Sequence, residues 1–177
     1  MTYIYHYDSP LGPITMASDG AAITGLWFDD QKYFAQAFPQ DYEEKKLPVF
    51  EMAERWLNIY FDGKEPDFMP PLSVKTTVFR KSVSDIMRRI PYGKTVTYGE
   101  IAEIIALQMG KEKMSAQAVG GAVGHNPISL MIPCHRVVGS NGSLTGYAGG
   151  IDRKVKLLEL EKADLSKLFV PKKGTAL

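Results

Sequence analysis

The stretch Ile132-Pro133-Cys134-His135-Arg136-Val137-Val138-Gly139 carries the one cysteine of a 177-residue chain. Pro133 fixes its own φ and pushes Ile132 out of helical geometry, so a shaped, non-helical segment delivers the thiol. His135 and Arg136 set a base and a positive charge beside sulfur, the surroundings that turn a thiol toward the nucleophilic thiolate. A lone cysteine is more often buried packing, but a His-Arg pair is poor company for an inert one. Neighbouring residues of an extended segment point to opposite faces, so His135 reaches Cys134 only across a turn or through a bridging water. A third group has to orient the imidazole, and carboxylates at the end of the last helix, Glu159 or Glu161, are the candidates. One cysteine excludes an internal disulfide, a CxxC redox pair and a multi-cysteine zinc or iron–sulfur site.

The flanks of this stretch are turns. His125-Asn126-Pro127 precedes it, with an Asn side chain able to bond nearby backbone. Gly139-Ser140-Asn141-Gly142 follows, then the glycine-rich Gly146-Tyr147-Ala148-Gly149-Gly150, which lets backbone approach a ligand and offers one aromatic face or hydroxyl. Ile151 to Glu161 reads as a helix with Val155, Leu157, Leu158 and Leu160 apolar. Further upstream, Ser115 to Val123 is a helix of small residues, useful where something must come close to its backbone. Tyr98 to Ala106 is another, with Thr97 as N-cap and Glu100 at N3 of a capping box. These two are the candidates for a helix-turn-helix, although the connector from Leu107 to Met114 is longer than a tight turn. Val78 to Ile90 is a helix ended by Pro91-Tyr92-Gly93, and Lys94 to Thr97 is extended.

Toward the N-terminus the periodicity changes. Tyr3–Tyr7, Ile14–Ala17 and Ile23–Phe28 are β-rich runs separated by Ser9-Pro10-Leu11-Gly12 and Ser18-Asp19-Gly20, the pattern of an antiparallel meander. Phe50 to Phe61 carries Ala53, Trp56, Leu57 and Tyr60 on one helical face. Pro66, Pro70 and Pro71 mark a boundary near residue 75, giving domains 1–75 and 76–170 and a loose tail 171–177.

Charge divides at the same place. The net charge is +1, but residues 1–78 hold 6 Lys/Arg against 12 Asp/Glu, net −6, and residues 79–177 hold 15 against 8, net +7. A basic half is suspected of meeting an anion, nucleic acid among them, with uneven solvated surface as the plain alternative. Met1 to Ala17 lacks a basic start and a continuous apolar run, and no apolar stretch approaches the roughly 20 residues of a membrane span. The expectation is a cytoplasmic chain with no membrane partner.

Ile132-Pro133-Cys134-His135-Arg136-Val137 resembles the active-site signature of the O6-alkylguanine-DNA alkyltransferases, the methylated-DNA–protein-cysteine methyltransferases. Pro91-Tyr92-Gly93, Thr97-Tyr98-Gly99, Ala118-Val119-Gly120-Gly121-Ala122, Asn126-Pro127 and Tyr147-Ala148-Gly149-Gly150 are similar to family motifs in order and spacing, closely over residues 76–165. The resemblance implies an α+β fold: a small antiparallel sheet with helices, ribonuclease H-like, followed by a mostly helical, winged-helix-like domain with the helix-turn-helix. It implies a single-turnover methyltransferase of DNA repair. Cys134 would take the alkyl group, typically methyl, irreversibly from O6-alkylguanine in double-stranded DNA, after base flipping.

The implied roles are specific. His135 deprotonates Cys134 through a water, Glu161 orients His135, and Asn126 holds the active-site turns together. The Tyr98 hydroxyl donates to the guanine ring. Tyr147, Val137, Ala148 and Val123 form the pocket, and the carbonyls of Cys134 and Val137 read the exocyclic amine. Gln117, Ala118, Gly120, Thr97, Arg136 and Ser140 face DNA. The chain would act as a monomer without cofactor or metal. Many family members carry an arginine where Gln117 stands, and some carry a serine where Ala148 stands. Two other function classes compete: a damage sensor that binds DNA without transfer, against which Cys134 argues, and a cysteine hydrolase, for which no oxyanion hole is signalled.

Overall fold

In a computed structural model that describes residues 1–172, the three β-rich runs pair as the meander requires. Strand β1 (Tyr3–Ser9) pairs antiparallel with β2 (Gly12–Ser18), and β2 with β3 (Ile23–Phe28). Gly12, at φ 120°, makes the tight first turn that an L side chain resists. After a single helical turn, α1 (Phe34–Ala37), a short strand β4 (Glu43–Glu44) adds parallel to β1, so the sheet order is β3-β2-β1-β4. The sheet is therefore mixed at one edge rather than wholly antiparallel. Pro48 opens α2 (Pro48–Phe61), a position where its missing N–H costs nothing. Phe50, Ala53, Leu57 and Tyr60 of that helix are fully buried at i, i+3, i+4 spacing. Phe50 and Leu57 contribute about 1.5–3 kcal/mol each by leaving water.

The chain forms two compact units. Residues Met1–Lys75 belong to the first, but so do Pro127–Met131, which the sequence reading leaves inside an unbroken 76–170. The reason is backbone pairing. The Leu26 N–H donates to Pro127 O at 2.9 Å and the Ser129 N–H donates to Leu26 O at 2.9 Å, so this segment satisfies polar groups on the edge strand β3. No periodicity in the sequence announces a five-residue excursion of this kind.

The second unit holds α3 (Val78–Met87), β5 (Val96–Thr97), α4 (Tyr98–Gln108), α5 (Ala116–Gly124), β6 (Val137–Val138) and α6 (Ile151–Leu160). Helix α3 stops before the expected Ile90, because the Arg89 and Ile90 N–H groups donate to Ile86 O and Met87 O in a tightened last turn. Thr97 and Glu100 form the capping box of α4, and the Ser115 hydroxyl caps α5. Both α4 and α5 pack on α3 and on each other. Val119, Ala122 and Val123 of α5 are buried there, which leaves Gln117 and Ala118 exposed and Gly120 half-buried. Strand β5 pairs in parallel with β6. Among the described residues no helix is long and apolar enough to cross a membrane. The tail read as loose lies, beyond Lys172, outside the described residues.

Candidate active site

Cys134–Arg136 form a 3-10 turn, which is helical where the sequence pointed to a non-helical segment. Three residues per turn separates neighbours by about 120°, so Cys134 and His135 share one turn instead of facing opposite ways. Pro133 enters the turn at φ −80°, the Cys134 N–H donates to Ile132 O at 2.8 Å, and the Arg136 N–H donates to Pro133 O at 3.0 Å. The Asn126 side chain closes the segment from upstream, its Nδ2 donating to Ile132 O at 2.8 Å. Cys134 is 4% exposed and His135 is 0% exposed.

Glu161 caps the C-terminus of α6 and reaches back to this turn. Its Oε2 bonds His135 Nε2, while its Oε1 accepts from Arg136 Nε at 2.7 Å and from the Gly93 N–H at 3.0 Å. Gly93 has φ 74°, and a Cβ there would lie 2.9 Å from the Glu161 carbonyl oxygen, so glycine is needed for the approach. Burial pushes the Glu161 carboxyl up, but its bonds and proximity to His135 and Arg136 outweigh that and hold it well below the ordinary carboxylate range. Burial pulls the His135 pKa below its ordinary value, with Glu161 acting in the opposite direction. An ionised Glu161 places the proton of neutral His135 on Nε2, which makes Nδ1 the acceptor nitrogen. Glu159, the other carboxylate considered, is exposed.

Burial also raises the Cys134 thiol, while Asn126 and the charge of Lys154 pull it back. Lys154 is 0% exposed, and its Nζ donates to Val137 O and, at 3.0 Å, to Thr145 O. Desolvation brings its pKa down to about 8. The Tyr98 hydroxyl donates to Thr145 O at 3.2 Å or Gly146 O at 3.3 Å. The Tyr147 ring meets His135 edge-on with centroids 6.5 Å apart, and its buried hydroxyl has no hydrogen-bond partner among the described residues. A buried unpaired hydroxyl costs about 1–3 kcal/mol, which a ligand acceptor would relieve. Among the described residues no group of three or more His, Cys, Asp or Glu is placed to hold a metal ion.

The family model described as 6-O-methylguanine DNA methyltransferase, DNA binding domain, matches residues 78–163, and the model described as its ribonuclease-like domain matches residues 2–74. The chain belongs to the 6-O-methylguanine DNA methyltransferase family. It is 44% identical to the methylated-DNA–protein-cysteine methyltransferase of Mycobacterium tuberculosis, over 89% of this chain and 93% of that one. The Haemophilus influenzae protein of the same name is 40% identical over 92% and 88% of the two chains. The crystal structure of Mycobacterium tuberculosis OGT in complex with DNA superposes with a TM-score of 0.78 at 42% identity, covering 90% of this chain and 92% of that one. The α+β class, with a ribonuclease-like N-terminal part and a DNA-binding C-terminal part, is that of the family.

In this family member Cys134, His135, Glu161, Asn126 and Val137 come together in the buried site. Tyr98 and Tyr147 join them through the loop at 145–147, while Ala148 is half-buried beside it. Val123 is buried within the packing of α5. The two carbonyls expected to read a base already accept bonds, Cys134 O from the Val137 N–H and Val137 O from Lys154. Gln117, Ala118 and Ser140 are exposed, and Gly120 and Thr97 are half-buried, Thr97 with its hydroxyl engaged as a cap. Arg136 departs from its expected place facing DNA, because it is buried and paired with Glu161. Lys154 was missed entirely. Its only signal in the sequence is a cation on the apolar stripe of α6, which periodicity alone reads as a helix-edge charge.

Proposed function

We propose that the protein repairs alkylated DNA by moving the alkyl group, typically methyl, from O6-alkylguanine to Cys134, once per molecule. The observation that carries this reading is the buried Cys134–His135–Glu161 set on one 3-10 turn and one helix end. His135 Nδ1 accepts the Cys134 proton, through a water, and Glu161 holds the ring. The Sγ–C bond then forms as the O6–C bond breaks, and the proton returns to the guanine that leaves. Tyr98 releases its loop carbonyls to donate to the base, and the unpaired Tyr147 hydroxyl turns toward O6. O6 is hidden in the stack, so the base is flipped out, with α5 against the duplex and Gln117 at its surface. The product thioether is not open to thiol exchange and the chain has no resolving cysteine, so each molecule is used once.

The test is peptide mapping after incubation with a duplex oligonucleotide bearing O6-methylguanine. The Cys134 peptide gains one methyl group, at most one per protein, and Cys134→Ala abolishes transfer while duplex binding remains. Turnover, or methyl on another residue, would refute the reading.

A further inference from the structure

Arg136 follows the reactive pair in sequence, and an arginine in a basic half reads as a phosphate contact. The structure turns it inward instead. It is 9% exposed; Nε donates to Glu161 Oε1 at 2.7 Å, Nη1 donates to Ile90 O at 2.8 Å, and the guanidinium lies 5.6 Å from the centroid of the Tyr92 ring. The two Glu161 oxygens are thereby divided: Arg136 and the Gly93 N–H hold Oε1, and Oε2 faces His135.

We propose that Arg136 is a positioning residue for the transfer: it balances the buried Glu161 carboxylate, so that His135 stays uncharged and ready to take the Cys134 proton. This rests on Cys134 being the acceptor and His135 its base. The argument is one of charge in a dry site. Glu161 and Arg136 together are neutral, so a neutral imidazole leaves the cluster neutral. Without Arg136 a buried anion stands beside the imidazole, and the simplest compensation is a proton on His135. A protonated imidazole cannot act as the base.

The other groups facing His135 do not replace this function. Lys154, from α6, is bonded to the carbonyls of Val137 and Thr145. Tyr147, from the preceding loop, and Cys134, on the same turn, are neutral acids held protonated by burial. Tyr92 presents its ring to the guanidinium. The direction of the His135 shift agrees: after desolvation and the opposing Glu161, the Arg136 charge lowers it further, and the Lys154 charge acts the same way but less.

The experiment measures single-turnover methyl transfer from an O6-methylguanine duplex against pH for the parent, Arg136→Met and Arg136→Lys, with duplex affinity at two salt concentrations. Nitrogen-15 shifts of the His135 ring are read in the same proteins. In Arg136→Met the acid limb moves up by about one pH unit or more, transfer at pH 7 falls about tenfold or more, and it recovers in alkali while affinity is kept. In Arg136→Lys the limb stays near that of the parent. A loss by the same factor at every pH, or a weaker and less salt-dependent affinity with an unmoved limb, overturns the proposal. If Arg136→Met does not fold, the parent ring decides: neutral with the proton on Nε2 at pH 7 supports it, and cationic overturns it. If the parent transfers no methyl, the function reading falls, and the ring titrations still decide the role of Arg136.

Discussion

Replacing Lys154 with methionine removes a buried ammonium while keeping an unbranched side chain. Its pKa falls from 10.5 to about 8, chiefly through desolvation. That difference of 2.5 units corresponds to about 3 kcal/mol of cost for holding the charge in the fold at pH 7. Lys154→Met escapes this cost but strips the Val137 and Thr145 carbonyls of their donor, at about 1–3 kcal/mol each. The two effects oppose, so stability at pH 7 should change by no more than about 3 kcal/mol. The pH dependence is sharper. The folded pKa lies below the unfolded one, so between about 8 and 10.5 the unfolded state binds more protons and stability rises with pH. From pH 7 to pH 10 the parent gains about 2–3 kcal/mol that the variant lacks. Cys134, Tyr98 and Tyr147, all raised by burial, work against stability in alkali in both proteins, so the parent-minus-variant difference is the quantity to read. Urea unfolding followed by far-UV circular dichroism measures it, and amide exchange in α6 assigns the transition to the second unit. A parent-minus-variant difference that does not change between pH 7 and pH 10 would refute a buried charge at Lys154. Transfer by Lys154→Met should also slow, because the Cys134 thiol loses a charge that pulls its pKa down.

Gln117→Arg adds a cation at an exposed position of α5, so it should tighten duplex binding or speed transfer and steepen the salt dependence by about one unit of slope; no change in either rate or affinity places Gln117 outside the interface. The folded His135 pKa is depressed, so its stability contribution is present above about pH 6.5 and drains away as pH falls below that. Thermal unfolding between pH 4.5 and 7.5 should show this slope in the parent and a flatter one in His135→Gln, and equal slopes would sink the assignment.

Local signals made much of this architecture legible. The meander follows from β-rich runs cut by turn residues, and the α4 cap follows from Thr97 and Glu100 three apart, because both depend on neighbours in sequence. The parallel addition of β4 and the excursion of Pro127–Met131 onto β3 depend on partners far along the chain, and backbone pairing leaves no mark on side-chain pattern. At the site, Cys134 and its neighbours stood out, and of the two routes open to His135, a turn or a bridging water, the chain supplies a 3-10 turn after Pro133. Arg136 was misplaced for a related reason. Sequence supplies a charge and its neighbours, while burial is set by Glu161, Ile90 and Tyr92, which are 25, 46 and 44 positions away.

Helix α6 shows how such a site is built on ordinary periodicity. The apolar face expected there included Val155 and Leu160, both of which are only partly buried. The buried stripe is instead Lys154, Leu157 and Leu158, continued by Glu161 at the cap, the spacing of two helical turns. One face therefore brings a cation to the carbonyls beside Cys134 and an anion to the imidazole of His135, with leucines between them that exclude water. Burial weakens the screening of both charges, so Lys154 acts on the thiol and, more weakly than Arg136, on the imidazole, while Glu161 acts on the imidazole from the other end of the helix. An apolar residue at either end would preserve the packing pattern and remove the chemistry, which is why hydrophobic periodicity alone could not locate it.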